Sequence, residues 1–319
     1  MTEYQSPAVP ARPRVLARTR GMSREDWLAA RRGGLGGSDI AALTRGKLWA
    51  VYADKLGLAA PSPQTEDMRR GHGLEAWLRG EVARRHPTWR ITQRHAVLQH
   101  PTEDWALANI DGLIRTEDGT AVLEIKTSRQ PWHDGVPEDY QAQVQWYLGI
   151  TGAPRAVVAV MFGDFSQSEY TLEADPDLQG ALLILGDAFW RLVAARTPPP
   201  LDGSEAARAW LLAEYPPRPD RPQPVTFDAE AAGMVARYRD AQARAHEHRL
   251  TMDTLGAHIR AAIGDAPGGL TDTHRVTWVR SVAKHTDLDA LRRDHPDLVA
   301  HYTSERPRDG GLRISLRKD

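Results

Sequence analysis

The sequence predicts a mixed α/β fold in which a curved, mainly antiparallel sheet is flanked by helices and followed by a C-terminal helical extension. Three observations lead there. Residues 91–128 hold three β-branched, alternating segments (Ile91–Leu98, Leu107–Ile114 and Ala121–Thr127) separated by Pro, Asp and Gly, the pattern of an antiparallel meander. The run Val157-Val158-Ala159-Val160-Met161 is short and apolar enough for a buried central strand. Helical patterns lie on both sides of these segments. The chain divides into a flexible N-terminal arm (1–20), an α/β core (21–205) and the extension (206–319).

The elements follow in order. The first 20 residues are rich in Pro and Arg, with little periodicity. Ser23-Arg24-Glu25-Asp26 reads as a capping box that opens a helix through Trp27 and Arg31. Gly33-Gly34-Leu35-Gly36-Gly37 breaks it, and Ser38-Asp39 starts another through Leu43. A helical stretch spans about Met68 to Arg85. Asp118-Gly119 is the strongest hairpin signal of the meander. Pro137 fits the first turn of a helix running to about Leu148. After the apolar strand, a return strand near Ser168–Leu172 and a helix over about Pro176–Ala195 complete an α/β unit.

Pro198-Pro199-Pro200 and the prolines from Pro216 to Pro224 mark a change of architecture. Beyond them Met234, Tyr238, Ala241, Ala245, His248, Met252, Leu255 and Ile259 recur at alternating four- and three-residue steps, the seam of a long helix that packs on a partner. His246-Glu247-His248 lacks the spacing of a helical zinc pair. Residues 273–279 and 311–316 read as short strands around a helical piece near Leu288–Arg293.

Composition narrows the function. The 319 residues are 41% hydrophobic and 26% charged, as in ordinary globular proteins, and contain no cysteine. Disulfides, thiolate metal sites and a cysteine nucleophile are therefore excluded, and any metal must sit on oxygen or histidine. No apolar run approaches the roughly 20 residues needed to cross a bilayer, and no signal-peptide pattern is visible, so the expected location is the cytoplasm, away from membranes. A net charge of −1 gives no global attraction to nucleic acid. Locally, however, residues 11–32 and 69–94 each hold seven arginines, enough to permit a polyanionic partner.

The most informative segment is Asn109-Ile110-Asp111-Gly112, with Glu124-Ile125-Lys126 following thirteen residues after Asp111. Period-two alternation puts Glu124 and Lys126 on one face of a strand. A two-residue Asp118-Gly119 turn sets Asp111 opposite Lys126 and diagonal to Glu124, on that same face. Two close carboxylates repel, and a hard divalent cation, Mg²⁺ or Mn²⁺, relieves the repulsion. A neighbouring lysine can hold or deprotonate an attacking water and stabilise phosphoryl charge. The chemistry suggested is phosphodiester hydrolysis; the alternative is an exposed hairpin carrying a Glu124–Lys126 ion pair. Glu75 completes such a metal site or merely balances Arg79 at i+4. Gln143 and Tyr147 share one helix face beside it.

Together these residues resemble the YqaJ-like viral recombinase family, the lambda-type phage exonucleases of the PD-(D/E)XK nuclease superfamily. The resemblance spans about residues 25–165. It rests on Trp27-Leu28-Ala29-Ala30-Arg31, Leu35-Gly36-Gly37-Ser38-Asp39, Gly73-Leu74-Glu75, Ile110-Asp111-Gly112, Glu124-Ile125-Lys126 and Gln143-x-x-x-Tyr147, in the family order; Ile110 stands where the superfamily's name has proline. It implies a restriction-endonuclease-like core over 21–205, with Asp111, Glu124, the Ile125 carbonyl and Glu75 as metal ligands. Lys126 is similar to the catalytic lysine; Gln143 and Tyr147, a polar pair on one helix face, are candidates to orient nucleophile or phosphate, although a tyrosine on an amphipathic helix is more often a core residue. Arg31 and Ser38 resemble the pair that receives a 5′-terminal phosphate. A glycine-preceded helix start favours that role, since free N–H groups attract phosphate; an N-cap serine is the plainer account of Ser38.

The activity implied is metal-dependent 5′-to-3′ digestion of double-stranded DNA from its ends, which exposes 3′ single strands for phage-type recombination. A homotrimer and a single-strand annealing protein as partner follow from the resemblance alone. The alternatives are a structure-specific or restriction-like endonuclease, and a non-catalytic DNA-binding module of the same fold.

Overall fold

The computed structural model describes residues 12–58, 65–216, 224–304 and 314–315. They fall into two compact units, residues 1–213 and 214–319. The first begins with strand β1 (Arg14–Arg18), helix α1 (Arg24–Arg32), α2 (Gly37–Thr44), α3 (Leu48–Lys55) and α4 (Glu66–Arg85). Strands β2 (Arg90–Thr92), β3 (Ala96–Gln99), β4 (Leu107–Ala108), β5 (Gly112–Thr116) and β6 (Gly119–Thr127) follow. Helix α5 (Glu138–Thr151), β7 (Arg155–Met161), β8 (Gln167–Glu173), α6 (Pro176–Ala194) and α7 (Glu205–Glu214) complete it.

The main sheet has the order β2-β5-β6-β7-β8, and only the β6–β7 pair is parallel. That exception is where α5 crosses from one strand to the next, since a parallel connection requires a crossover. Both faces of β6 are covered, which explains the apolar run Ala121-Val122-Leu123 ahead of Glu124. Leu123 and Ile125 pack with Leu78 and Val82 of α4, whereas Val122 joins the larger core with Val144 and Leu148 of α5. Leu123 is fully buried, so truncating it to Ala would cost about 2–5 kcal/mol.

The expected meander is split between two sheets. Ile91–Leu98 divides into β2, paired with β5, and β3, which joins a smaller sheet of order β1-β3-β4. The polar Gln93-Arg94-His95 lies between the two strands, and Leu107–Ile114 breaks similarly at Asn109–Asp111. Residues 14–18, assigned to a flexible arm, instead form a strand against β3. Its arginines suit an outer strand, where charge discourages further pairing. The remainder of the expected arm, residues 1–11, lies outside the described residues.

The β5–β6 hairpin closes one residue earlier than expected, which shifts the strand register by two. Thr116 pairs with Gly119, leaving Glu117-Asp118 as the loop, and the Asp118 N–H donates to the Thr116 hydroxyl at 3.2 Å. Gly112 faces Leu123, so continuing the register puts Asp111 level with Glu124 rather than Lys126. A slip of two preserves the face each side chain occupies, whereas a slip of one would have inverted it.

Polyproline does not end the first unit at 205. The Trp49 indole N–H donates to the Pro200 carbonyl at 2.8 Å, and Trp210 of α7 lies 5.0 Å from Trp49, ring centre to ring centre. Ala207 is buried. The second unit contains α8 (Ala229–Ile263), a hairpin of β9 (Gly268–Leu270) and β10 (Arg275–Thr277), α9 (Leu288–Asp294) and α10 (Pro296–Tyr302). The strand expected at 311–316 falls largely outside the described residues. Among the described residues no helix is long and apolar enough to cross a membrane.

Candidate active site

Strand β6 delivers Glu124 and Lys126 to the face covered by α5, where four side chains interlock. The Lys126 ammonium lies 2.6 Å from Glu124 Oε1 and donates to Gln143 Oε1 at 3.0 Å. The Gln143 amide donates at 2.9 Å both to Glu124 Oε1 and to the Tyr147 hydroxyl. Lys126 also sits over the Tyr140 ring at 4.8 Å. Glu124 is only 3% exposed, and its Oε2 is buried with no hydrogen-bond partner. A buried carboxylate oxygen left bare is costly, and its natural complement is a cation.

Asp111 stands just before β5, where the ladder stops. Its Oδ2 accepts from the Ile125 N–H at 2.8 Å, so a side chain replaces the missing backbone partner. Burial raises the Asp111 pKa well above the ordinary carboxylate value, and the charges of Glu124 and Glu75 add to it, outweighing the Ile125 hydrogen bond and Lys126. Burial likewise raises Glu124; Lys126 opposes the rise and Glu75 adds to it. For Lys126, burial works against the ammonium, but Glu124 and Asp111 prevail and lift its pKa. Burial beside both carboxylates puts the Tyr147 phenol well above its usual range. The lysine is thus an ammonium and the tyrosine a neutral phenol near neutral pH.

Helix α4 brings Glu75 to the same cleft, paired with Arg79. Its charge still bears on Asp111 and Glu124. Among the described residues no group of three or more His, Asp or Glu side chains is gathered closely enough to hold a metal ion. The fit to a cation rests instead on the bare Glu124 oxygen, the mutual destabilisation of two carboxylates and an all-oxygen donor set suited to a hard ion.

Across the cleft stand Arg31 and Ser38. Leu35 forms a parallel bridge to Ala106, with the Leu35 N–H donating to the Trp105 carbonyl at 2.7 Å. A Cβ on Gly34 would fall 2.2 Å from that carbonyl, so only glycine permits the approach. This fixes the start of α2, whose N-cap is Gly36; Ser38 lies inside the first turn and is not the cap. Its hydroxyl accepts from Arg31 Nη2 at 2.7 Å. A Cβ on Gly37 would reach within 2.5 Å of the Tyr147 ring, so helix start and lysine pocket are in direct contact.

Sequence reasoning missed what supports this end. Asp39 accepts from the Gly36 N–H at 2.8 Å and from the buried Lys55 ammonium at 2.6 Å, and lies 3.7 Å from Arg31. Lys55 also donates to the Arg31 carbonyl at 3.2 Å. Trp27 is a second support: the Arg31 guanidinium lies 4.8 Å from its ring centre, while its indole N–H donates to the Asn109 side chain at 2.9 Å. Asp39 and Trp27 belong to segments singled out above, but their partners are visible only in three dimensions. Arg31, Ser38, Glu75, Asp111, Glu124, Ile125, Lys126, Gln143 and Tyr147 all line one cleft of about 480 Å³.

Residues 26–154, from α1 beyond α5, match the family model of the YqaJ-like viral recombinase domain. That stretch is similar to a viral recombinase domain. All the cleft residues just named lie inside it. The chain is 29% identical over 307 residues to the uncharacterized protein YqaJ of Bacillus subtilis (strain 168), an alignment covering 92% of this chain and 95% of that protein. Coverage that broad takes in most of the second unit as well as residues 26–154. Among solved structures, an alkaline exonuclease from Laribacter hongkongensis is 21% identical with a TM-score of 0.45, covering 54% of this chain and 93% of its own. A phage-related exonuclease from Haemophilus somnus 129PT is 10% identical with a TM-score of 0.37, covering 55% and 90%.

Proposed function

We propose that this protein is a metal-dependent exonuclease of the PD-(D/E)XK type that degrades double-stranded DNA from 5′ ends, leaving 3′ single strands for recombination. The observation that carries this reading is the presence in one cleft of two destabilised carboxylates with a lysine, opposite an arginine and serine at a helix start. The first set suits hydrolysis of a phosphodiester, the second a terminal phosphate.

Asp111 and Glu124, with the Ile125 carbonyl and Glu75, are the residues that would hold Mg²⁺ or Mn²⁺, which would neutralise charge on the phosphoryl group. Lys126, an ammonium beside Glu124 and Asp111, would offer a hydrogen-bond donor and positive charge to the attacking water or a phosphoryl oxygen. Gln143 keeps Lys126 and Glu124 in register by bonding both. At the other end Arg31 and the Ser38 hydroxyl offer charge-assisted donors to a 5′-phosphate, next to the first N–H groups of α2. The exposed 3′ strand would then pass to a single-strand annealing protein.

Linear duplexes labelled at one end and carrying either 5′-phosphate or 5′-hydroxyl, incubated with Mg²⁺ beside a covalently closed circle, test the reading. Stepwise shortening from phosphorylated 5′ ends is expected, with the circle untouched. Arg31→Ala should reduce the preference for phosphate by about 10–100-fold, the worth of one or two charge-assisted hydrogen bonds. Cleavage of the closed circle would favour an endonuclease instead, and metal-independent binding without cleavage would favour a DNA-binding module.

A further inference from the structure

We infer that α8 pairs with α8 of a second copy of this chain, as an antiparallel two-stranded coiled coil centred between Ala245 and His248. The helix has 35 residues, about 52 Å at 1.5 Å per residue, and none of them is buried. Its seam is open to solvent: Tyr238, at 41%, is the least exposed of its large apolar residues and Met252, at 72%, the most. Apolar residues recurring every 3.5 positions along a helix of this length form a stripe that a facing helix with the same repeat can fill.

The order of residues in the seam selects both partner and direction. The two alanines, Ala241 and Ala245, sit together just before the middle of the seam, with Met234 and Tyr238 ahead of them and only larger residues, His248, Met252, Leu255 and Ile259, after. A parallel copy in register would set alanine against alanine and methionine against methionine, leaving some layers hollow and others crowded. It would also oppose Arg244 to Arg249 of the second copy on both sides. Reversal removes both faults. Met234 then meets Ile259, Tyr238 meets Leu255, Ala241 meets Met252 and Ala245 meets His248, so each alanine faces a larger side chain. On the flanks Arg244 meets Thr251 and Gln242 meets Arg249, while Arg237 meets His258. The seam is thus complementary to its own reverse, which a second copy of this chain supplies and which matches the two-fold symmetry of most homodimers.

The absence of cysteine in the chain makes the test direct. Full-length Ala241→Cys and Met252→Cys proteins, mixed and oxidised mildly, should give a disulfide-linked heterodimer. Ala241→Cys alone should not, because its two copies lie about 16 Å apart along the axis in the antiparallel pair. An Ala243→Cys and Met252→Cys mixture, with one cysteine on the outer face, should not link either. Leu255→Glu should halve the mass of the unlinked protein measured by sedimentation and leave the helical circular dichroism in place. No link in the first mixture, equal linking of Ala241→Cys with itself, or an unchanged mass in Leu255→Glu would each overturn the inference.

Discussion

The two ends of the cleft differ in how completely their charges are balanced. At the strand end Asp111, Glu124 and Glu75 face Lys126 and Arg79, an excess of one negative charge, and an oxygen of Glu124 has no partner. At the helix end Arg31 and Lys55 face Asp39, and Asp54 lies 3.9 Å from Lys55, so charges balance, and the ion pairs there are closed by hydrogen bonds to Ser38 and to backbone. The first end is destabilised and calls for a cation; the second is rigid and presents a donor. Hydrolysis needs groups held against their own repulsion, whereas recognition of a terminus needs a fixed shape.

The sharpest way to break this contrast is at the strand end. Asp111→Ala and Lys126→Ala should each lower the rate of nucleotide release from linear duplex by about 10³-fold or more, roughly 4 kcal/mol of transition-state stabilisation. Single-turnover digestion measures it, and a loss within tenfold for both variants would mean that the acidic end is structural. At the helix end, Lys55→Met should destabilise folding by about 1–3 kcal/mol, because it leaves buried Asp39 with only the more distant Arg31 as a cationic partner. Denaturant titration reads this, and adding Asp39→Leu should restore part of the loss. An unchanged midpoint in the single variant would deny the pair its supporting role.

The smallest effect has the opposite sign. With metal chelated, Asp111→Asn should stabilise the fold by on the order of 1 kcal/mol while abolishing digestion, since it removes a repelled charge. The pH dependence follows from the raised Asp111 pKa. Below the ordinary carboxylate range Asp111 is protonated whether folded or unfolded, and the parent keeps its full stability. As pH rises through that range towards the raised folded value, the unfolded chain ionises first and stability is lost. The advantage of the asparagine variant in thermal midpoint should therefore open with rising pH. An advantage that is constant across this window would assign it to packing rather than charge.

Much of this was legible in the sequence because short-range periodicity determines it. The helices α1, α5 and α6, the buried strand β7 and the shared face of Glu124 and Lys126 follow from spacing alone. What escaped depended on contacts between distant residues. Asp39 and Lys55 are sixteen positions apart and meet only because α2 and α3 fold back on each other. Strands β2 and β3 looked continuous, since a polar triplet without glycine or proline gives no break signal. The hairpin register was missed because Gly119 marks a turn as strongly when it closes the strand pair as when it sits in the loop. Helix α7 was assigned to the extension because proline-rich sequence reads as a boundary, although here Pro200 supplies a carbonyl to a buried tryptophan.

Gly37 has no Cβ at the spot where one would collide with the Tyr147 ring and the Gln143 side chain. Because Gln143 bonds both Lys126 and Glu124, any bulk added at residue 37 would be felt two links away, at the buried ammonium and carboxylate.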